Sequence, residues 1–324
     1  MSGSSEHSAT VWTTAWWLPL LAAVGWGGMF PVAKQALAIL DPVSLTLLRY
    51  IGVTVLLLAV MAARKEGFAA LGRTTHHGLL FSLGTVGIVG FNVFMLFGLR
   101  YTTPERASTM MAMLPFATAA IRWAMTGVRP KSADLLAFVV ATAGVALLVT
   151  GGDPAILVQG GLGWGDALVT LGMLCWAIYT YGAGMIEGVS GLRYTTWTTL
   201  YGTMSLAVLS LGLATSGVLP LPSASAVVAA GWELGYMISF AGVIAIVAWN
   251  SSVRRLGAPD TALFINFIPI TAFVWEAVAG RSFSAGEITG AGLIIAAAVG
   301  FNLHRRYWAG APGDARPEVS NDST

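Results

Sequence analysis

The 324-residue chain has few charged residues, few histidines and a single cysteine. Asp, Glu, Lys and Arg make up 10% of it, against about 25% in ordinary soluble domains, and so few charges could not cover the surface of a soluble protein of this size. The lone cysteine excludes an internal disulfide and any multi-cysteine metal cage. No phosphate-binding loop occurs, so nothing points to ATP-driven transport by this chain alone. We therefore expect no metal and no cofactor.

The four histidines also argue against catalysis. They fall in tails or loops, at His7, His76, His77 and His304. An intramembrane enzyme would place histidines and carboxylates at helical spacing inside the spans, as in a His-Glu-x-x-His helix. We predict that the protein is not an enzyme, and an intramembrane enzyme is kept only as a remote alternative.

Apolar residues dominate the composition of the chain. They make up 56% of the chain, with a mean hydropathy of +0.74, and about 20 of them in a row can cross a bilayer as a helix. We predict an all-α integral membrane protein, with the lipid bilayer as a partner and no nucleic acid. The ten predicted spans lie near residues 16–39, 43–63, 78–99, 104–125, 133–150, 164–185, 194–215, 233–253, 259–279 and 286–303.

An internal repeat relates the two halves of the chain. Trp26 in VGWGGMFPVAK has its counterpart in Trp176 of LCWAIYTYGAG, 150 residues later, and Pro115 has its counterpart in Pro269, 154 residues later. Each half would hold five spans. Because five is odd, the second half must enter the membrane in the opposite orientation, and inverted repeats of this kind are typical of transporters.

The domain organisation follows from the repeat and from the charges. We predict an N-terminal tail at 1–14, a first five-helix repeat at 15–152, a second at 160–305 and a disordered tail at 306–324. The polar residues 1–14 do not read as a secretory signal, so the first apolar segment should stay as a span. With a cytoplasmic N-terminus, twelve of the 17 Lys and Arg residues lie on the cytoplasmic side and four on the other, which favours this orientation. Both termini should then be cytoplasmic.

The paired prolines fall near the middle of the fourth and ninth predicted spans. A proline lacks a backbone N–H and clashes with the carbonyl four residues earlier, so it breaks the helix. In a membrane such a break is tolerated beside protein or a water-filled cavity. We interpret the pair as kinks beside a substrate site; the alternative is that proline is simply common in membrane helices.

A central pocket of rings, thioethers and amides is the second prediction. Aromatic side chains could stack on a flat apolar group and hold an ammonium against their faces, while amides inside a span need a polar partner. The alternative for each ring is packing or contact with lipid, and the amides could instead join helices. The candidate cavity residues are Trp26, Phe30, Asn92, Met111, Pro115, Trp176, Tyr179, Trp249, Asn250, Asn266 and Pro269.

Two basic residues lie at or inside the first two spans, Lys34 and Arg49. Their long side chains could reach the membrane interface, and we expect this of both. The alternative for Lys34 is a contact with a substrate anion near the outer mouth. Residues 16–39 contain no Asp or Glu, so no proton carrier is visible there, and transport is expected to be facilitated or coupled through another group. Two Gly residues four apart, Gly286 and Gly290, are typical of closely packed membrane helices.

These motifs resemble a known family. WGGMFPVAK at 26–34, Asp41-Pro42 and Leu48-Arg49-Tyr50 resemble the first two helices of the EamA type of the drug/metabolite transporter superfamily. Residues 101–115 resemble its fourth helix, and GWGDALVTLGMLCWAIYTY at 163–181 resembles the start of its second repeat. The resemblance covers roughly residues 15–305. It implies a basket of ten helices around a central cavity walled by helices 1, 3, 4, 6, 8 and 9, in a multi-pass protein of a bacterial inner (plasma) membrane.

Within that superfamily the chain looks most similar to the aromatic amino-acid exporters. The resemblance therefore implies a secondary transporter that exports amino acids, aromatic or otherwise neutral, or similar small metabolites by alternating access. An exporter of drugs or other metabolites with the same fold is the alternative. A purely structural scaffold would have no use for an inverted repeat with paired broken helices. Because the two halves already form a pseudo-dimer, a functional monomer is expected.

Overall fold

The described part of the chain is helical throughout. A computed structural model describes residues 16–63, 76–127, 129, 132–153, 155, 163–183, 185–186, 189–256 and 263–308, and these residues contain no β-strand. The predicted N-terminal tail lies outside the described residues, as does the predicted C-terminal tail from residue 309 onward. The last helix continues to Trp308, beyond the boundary that the sequence predicted at 305.

Twelve helices can be numbered along the described chain. Three of them contain a change of helical type: α3 and α10 include π-helical segments, and α11 begins with a 3₁₀ turn. The helices are α1 (Trp17–Ala36), α2 (Pro42–Ala63), α3 (His77–Tyr101), α4 (Pro104–Met111), α5 (Leu114–Thr126), α6 (Ser132–Thr150), α7 (Trp164–Ala183), α8 (Gly191–Thr215), α9 (Ala224–Ala229), α10 (Gly231–Gly235, Tyr236–Ile244 and Ala245–Leu256), α11 (Leu263–Asn266 and Phe267–Val278) and α12 (Ala285–Trp308).

Several of these helices have the length and composition of membrane spans. By these criteria four of the described helices can cross a membrane: Pro42–Ala63, His77–Tyr101, Gly191–Thr215 and Gly231–Trp249. Shorter apolar helices cover Leu135–Leu148, Phe264–Val278 and Ala285–Phe301. The helical content and these apolar segments agree with a multi-pass membrane protein, whereas the number of ten spans stays a prediction.

The helices are interrupted at four places. π-helical segments cover Thr85–Gly90 in α3 and Tyr236–Ile244 in α10; such segments inside α-helices are frequent at functional sites. The regular α-helix is interrupted by a turn at Ala112 and Met113 between α4 and α5, and a 3₁₀ turn precedes Phe267. Pro115 and Pro269 therefore stand in the first turn of a new helical segment, where N–H groups have no intrahelical partner and a proline is well accommodated.

The helices pack so that each half contacts the other. Helix α1 packs against α10 and α11, α7 against α3, α4 and α5, α8 against α2 and α3, and α6 against α12. The largest apolar core cluster joins Phe30 and Leu45 to Met95, Met173 and Ile268. This cluster draws its residues from both parts of the chain, so the space at its centre is bounded by both.

Helices α6 and α12 approach each other through glycines. A Cβ atom at Gly290 would lie 2.4 Å from the backbone nitrogen of Leu148, and one at Gly286 would lie 2.0 Å from the carbonyl carbon of Gly151. Real Cβ atoms do not come so close to a backbone, so the two helices can touch only because these side chains are absent. The pair that the sequence singled out for close packing thus forms a helix contact.

We expect Gly290→Ala to destabilise the protein through this contact. The added methyl group must push α12 away from α6, and overpacking costs about 1–3 kcal/mol. The apparent melting temperature of the protein in detergent should fall by several degrees. Gly292→Ala is the matched control, because no heavy atom lies within 4 Å of a Cβ at that position and alanine favours the helix. Equal melting temperatures for the two variants would contradict the contact.

Candidate functional site

One cavity lies among the helices that meet in the main core cluster. Its volume is about 80 Å³, room for about five water molecules at roughly 15 Å³ each. Among the described residues its walls are apolar and aromatic, with a single charged side chain. The lining residues are Trp26, Met29 and Phe30 of α1, Arg49 of α2, Phe91 of α3, Met111 of α4, Leu114 of α5, Trp176 of α7, and Ile265 and Ile268 of α11.

Two tryptophans on opposite sides of the sequence repeat line this cavity together. The Trp26 indole N–H donates a hydrogen bond to the carbonyl oxygen of Ala241, 3.0 Å away in the π-helical segment of α10. The Trp176 ring packs 4.9 Å from the Phe91 ring and 5.0 Å from the Tyr179 ring, centroid to centroid. Both rings are thus held in position and leave part of their surface facing the cavity.

Arg49 is the charged residue of the lining, and its guanidinium is held from one side. Only 6% of Arg49 is exposed. Its Nη1 donates to Oδ1 of Asn92 at 3.1 Å, and the guanidinium carbon lies 5.1 Å from the centroid of the Tyr50 ring. Asn92 in turn donates from Nδ2 to the Tyr50 hydroxyl at 3.0 Å and to the carbonyl of Ile88 at 2.9 Å. These bonds join α2 to α3 two residues after its π-helical segment ends at Gly90.

The expectation that Arg49 reaches the membrane interface is wrong. The side chain points into the protein because Asn92 and Tyr50 offer it polar and aromatic partners there. The sequence did contain the signal: Arg49 is the one Lys, Arg, Asp or Glu within 42–63, and an ionisable residue inside a span marks a functional site by default. The other missed lining residues are apolar side chains like many others in the spans, so nothing in the sequence marked them: Met29, Phe91, Leu114, Ile265 and Ile268.

The structure brings some predicted cavity residues together and not others. Trp26, Phe30, Met111 and Trp176 line the cavity, and Asn92 stands one hydrogen bond behind Arg49. The side chains of Pro115 and Asn250 lie outside the described part of the structure.

Four other predicted residues lie outside the lining. Tyr179 is buried between α7 and α8, where its hydroxyl bonds that of Thr198 at 3.1 Å. The Trp249 ring packs 5.2 Å from the Trp26 ring, centroid to centroid. Asn266 and Pro269 are buried at the start of α11, on either side of the lining residue Ile268.

Lys34 belongs to the last turn of α1, its side chain reaches the end of α3, and it is not among the lining residues. Its Nζ donates to the carbonyl oxygens of Leu99, Arg100 and Thr102, at 3.1 Å and 2.8 Å for the last two. Carbonyls at a helix C-terminus have no intrahelical partner and carry a partial negative charge, so this ammonium caps α3 from α1. The Thr102 hydroxyl also donates to Oδ1 of Asp166 at 2.6 Å, which ties the same end of α3 to α7.

The site is built for binding. Within the described ranges no group of three or more His, Cys, Asp or Glu side chains could hold a metal ion. The lining offers indole and phenyl faces, thioethers and one guanidinium. Such a surface can bind a flat apolar body together with an electron-rich polar group.

Comparison with known proteins identifies relatives that are named as transporters. The uncharacterized transporter YrdR of Bacillus subtilis (strain 168) is 29% identical over 295 residues, covering 89% of this chain and 90% of YrdR. The uncharacterized transporter YyaM of the same organism is 26% identical over 270 residues, 83% of this chain and 87% of YyaM. An uncharacterized transporter of Archaeoglobus fulgidus is 25% identical over 249 residues, 76% and 82% of the two chains.

A solved structure and a family model complete the comparison. The structure, titled only "Crystal structure of protein", is 18% identical, has a TM-score of 0.64 and covers 91% of this chain and 98% of its own, which shows a shared fold. The model of the EamA-like transporter family matches residues 13–150 and again residues 163–303. The chain therefore belongs to the EamA-like transporter family.

Proposed function

We propose that this protein is a secondary exporter of small metabolites with a flat apolar body, with aromatic or other neutral amino acids as the first candidates. The observation that carries the proposal is the cavity itself. Trp26, Phe30 and Met111 from the first match of the family model and Trp176 and Ile268 from the second line one space. A substrate bound there contacts both halves, as alternating access requires.

We also propose ten spans arranged as two inverted five-helix repeats. The family model matches the chain twice, once in each half. The π-helical segments at Thr85–Gly90 and Tyr236–Ile244 stand in the third and eighth predicted spans. The helix breaks before Leu114 and Phe267 stand in the fourth and ninth. Equivalent interruptions in equivalent spans support a repeated unit, and the odd number of helices in each unit implies the inversion.

The proposed orientation places both termini in the cytoplasm of a bacterial cell. It rests on the twelve basic residues that then face the cytoplasm, against four on the other side, in the direction that the positive-inside rule favours. A monomer is proposed as the functional unit, because the two halves of one chain already enclose the cavity.

Uptake into proteoliposomes tests the proposed function. Purified protein is reconstituted and offered a panel of labelled amino acids, aromatic carboxylates, nucleobases and organic cations, with and without a pH gradient. Saturable uptake of an aromatic or neutral amino acid, or of a similar small metabolite, is the expected result. Uptake of none of them would sink the proposal, and uptake of cations alone would favour a drug exporter.

Trp176→Ala should lower transport without lowering membrane insertion. The change removes one aromatic wall of the cavity, and losing that apolar contact should cost about 1.4 kcal/mol or more, which is about a tenfold drop in kcat/KM. The matched control is Trp164→Ala on the same helix, since Trp164 is 84% exposed and remote from the lining. Equal transport by the two variants would remove Trp176 from the substrate site.

A further inference from the structure

The protein satisfies only part of the hydrogen-bonding capacity of the Arg49 guanidinium. Its Nη1 is taken by Asn92, whereas Nε is buried and no described residue accepts a hydrogen bond from it. Among the described residues no carboxylate pairs with this side chain either. It forms a hydrogen bond with Asn92 and a cation–π contact with the Tyr50 ring. A buried charge without a counter-charge is energetically unfavourable, so an anion that binds beside Arg49 would stabilise the site.

The geometry decides which edge of the guanidinium is available. A carboxylate binds arginine through two parallel N–H···O bonds, along either the Nη1–Nη2 edge or the Nε–Nη2 edge. Nη1 already donates one of its two N–H groups to Asn92, whereas the single N–H of Nε has no acceptor among the described residues. The Nε–Nη2 edge is therefore the less occupied of the two, on a side chain that lines the cavity. A carboxylate seated there would satisfy the orphaned Nε and neutralise the charge in one step.

The rest of the lining determines which chemical groups the remainder of the ligand can contain. The body of the ligand meets Trp26, Phe91, Trp176 and the aliphatic residues of α11, all suited to an aromatic or alkyl group. The described lining contains no carboxylate to receive an ammonium. An amino acid would therefore bring a second positive charge close to Arg49 with only ring faces to offset the repulsion.

We propose that the cavity selects aromatic or alkyl monocarboxylates, and that the Nε–Nη2 edge of Arg49 binds their carboxylate. This inference rests on the proposed transport function and narrows its substrate class. Among compounds with the same body, the carboxylate without an ammonium binds more tightly than the amino acid, and both bind more tightly than the amine.

A matched set of four ligands tests this on the unaltered protein. The set is 3-phenylpropanoate, its neutral amide 3-phenylpropanamide, phenylalanine and 2-phenylethylamine, which share the phenyl ring and differ in their charged groups. Isothermal titration of the purified protein should give a Kd for 3-phenylpropanoate at least tenfold lower than for phenylalanine or for the amide. Binding of the amine should be weaker still. A Kd for the amide or for phenylalanine equal to or below that for the acid would overturn the inference.

A substitution assigns the selectivity to Arg49. Arg49→Gln should raise the Kd for 3-phenylpropanoate at least tenfold and leave the Kd for the amide unchanged; an unchanged Kd for the acid would overturn the assignment. If this variant fails to fold, Arg49→Lys keeps the charge but loses the two-pronged edge. It should then bind the acid at least threefold more weakly than the unaltered protein does. Equal binding would contradict two-pronged binding of the carboxylate along the Nε–Nη2 edge.

Uptake measurements keep this inference separate from the proposed function. Transport of the amide or of phenylalanine at least as well as the acid would leave the transporter intact and overturn the carboxylate site. Selective binding of the acid without transport of any compound would overturn the proposed function and leave the carboxylate site standing. No binding of any of the four would overturn the carboxylate site, and uptake of the wider panel of labelled compounds would then decide the proposed function.

Discussion

Asn92→Asp is expected to weaken carboxylate transport strongly and to destabilise the protein less than loss of the polar side chain does, because of its three partners only the Ile88 carbonyl loses its donor. Asn92 Oδ1 lies 3.1 Å from Arg49 Nη1, so a carboxylate of nearly the same shape would form an ion pair with the guanidinium. The site then carries no net charge, and an incoming carboxylate meets a negative group beside its binding edge. The KM for 3-phenylpropanoate should rise at least tenfold, about 1.4 kcal/mol, in proteoliposomes.

Two comparisons separate this effect from misfolding. Binding of the neutral 3-phenylpropanamide should be unchanged by Asn92→Asp, because that ligand brings no charge to the site. Asn92→Leu should instead destabilise the whole protein, since it leaves Arg49 Nη1, the Tyr50 hydroxyl and the Ile88 carbonyl without their partner. Losing a hydrogen bond to a buried charged group costs about 1.5–3 kcal/mol. An unaltered KM in Asn92→Asp would contradict an anion-binding role for Arg49.

Lys34→Met should destabilise the protein with little effect on substrate affinity. The three carbonyl oxygens that Lys34 binds lie at the end of α3, and methionine offers them no donor. Hydrogen bonds to charged groups contribute about 1.5–3 kcal/mol each. The apparent melting temperature of the purified variant should therefore fall by several degrees or more, while the KM of the surviving transporter stays within about twofold, a shift under 0.5 kcal/mol.

Lys34→Arg is the control for this prediction, because arginine keeps the positive charge and the donors that cap α3. It should restore most of the melting temperature lost in Lys34→Met. The opposite pattern, an unchanged melting temperature with a raised KM in Lys34→Met, would return Lys34 to the role of a substrate contact that the sequence suggested.

The predicted repeat made part of the candidate site predictable. Trp26 and Trp176 occupy matching positions in helices of opposite halves, and both line the cavity. Phe30 and Met111 joined them because residues four apart on a helix share a face: Phe30 lies one turn from Trp26, and Met111 one turn before the proline that the repeat had marked. Periodicity identifies such faces without any knowledge of the neighbouring helix.

Other candidates could not be separated by periodicity alone. Tyr179 lies three residues from Trp176 on the same helix, yet α8 covers it and bonds its hydroxyl. Trp249 packs against Trp26 and supports that ring. A sequence pattern shows which residues share a face, but whether that face meets a helix or a cavity depends on the neighbour, and the sequence does not name the neighbour.

The contacts of the two basic residues could not be predicted from the sequence for the same reason. Lys34 lies at the end of α1, and the end of α3 happens to be within reach of its ammonium. Arg49 lies seven residues into α2, about 10 Å along the helix at 1.5 Å per residue, and Asn92 of α3 draws it inward. Both contacts join residues more than 40 positions apart in the chain, so helical spacing carries no information about them.

By itself, the sequence determined the membrane environment, the helical character of the chain and the transporter family, because apolar composition and helical spacing are local properties that survive without a fold. Only the tertiary structure decided that Arg49 faces the cavity and that Lys34 caps a helix. Each of those roles depends on which polar atoms of a distant helix come within 3 Å or so, the range over which a hydrogen bond forms.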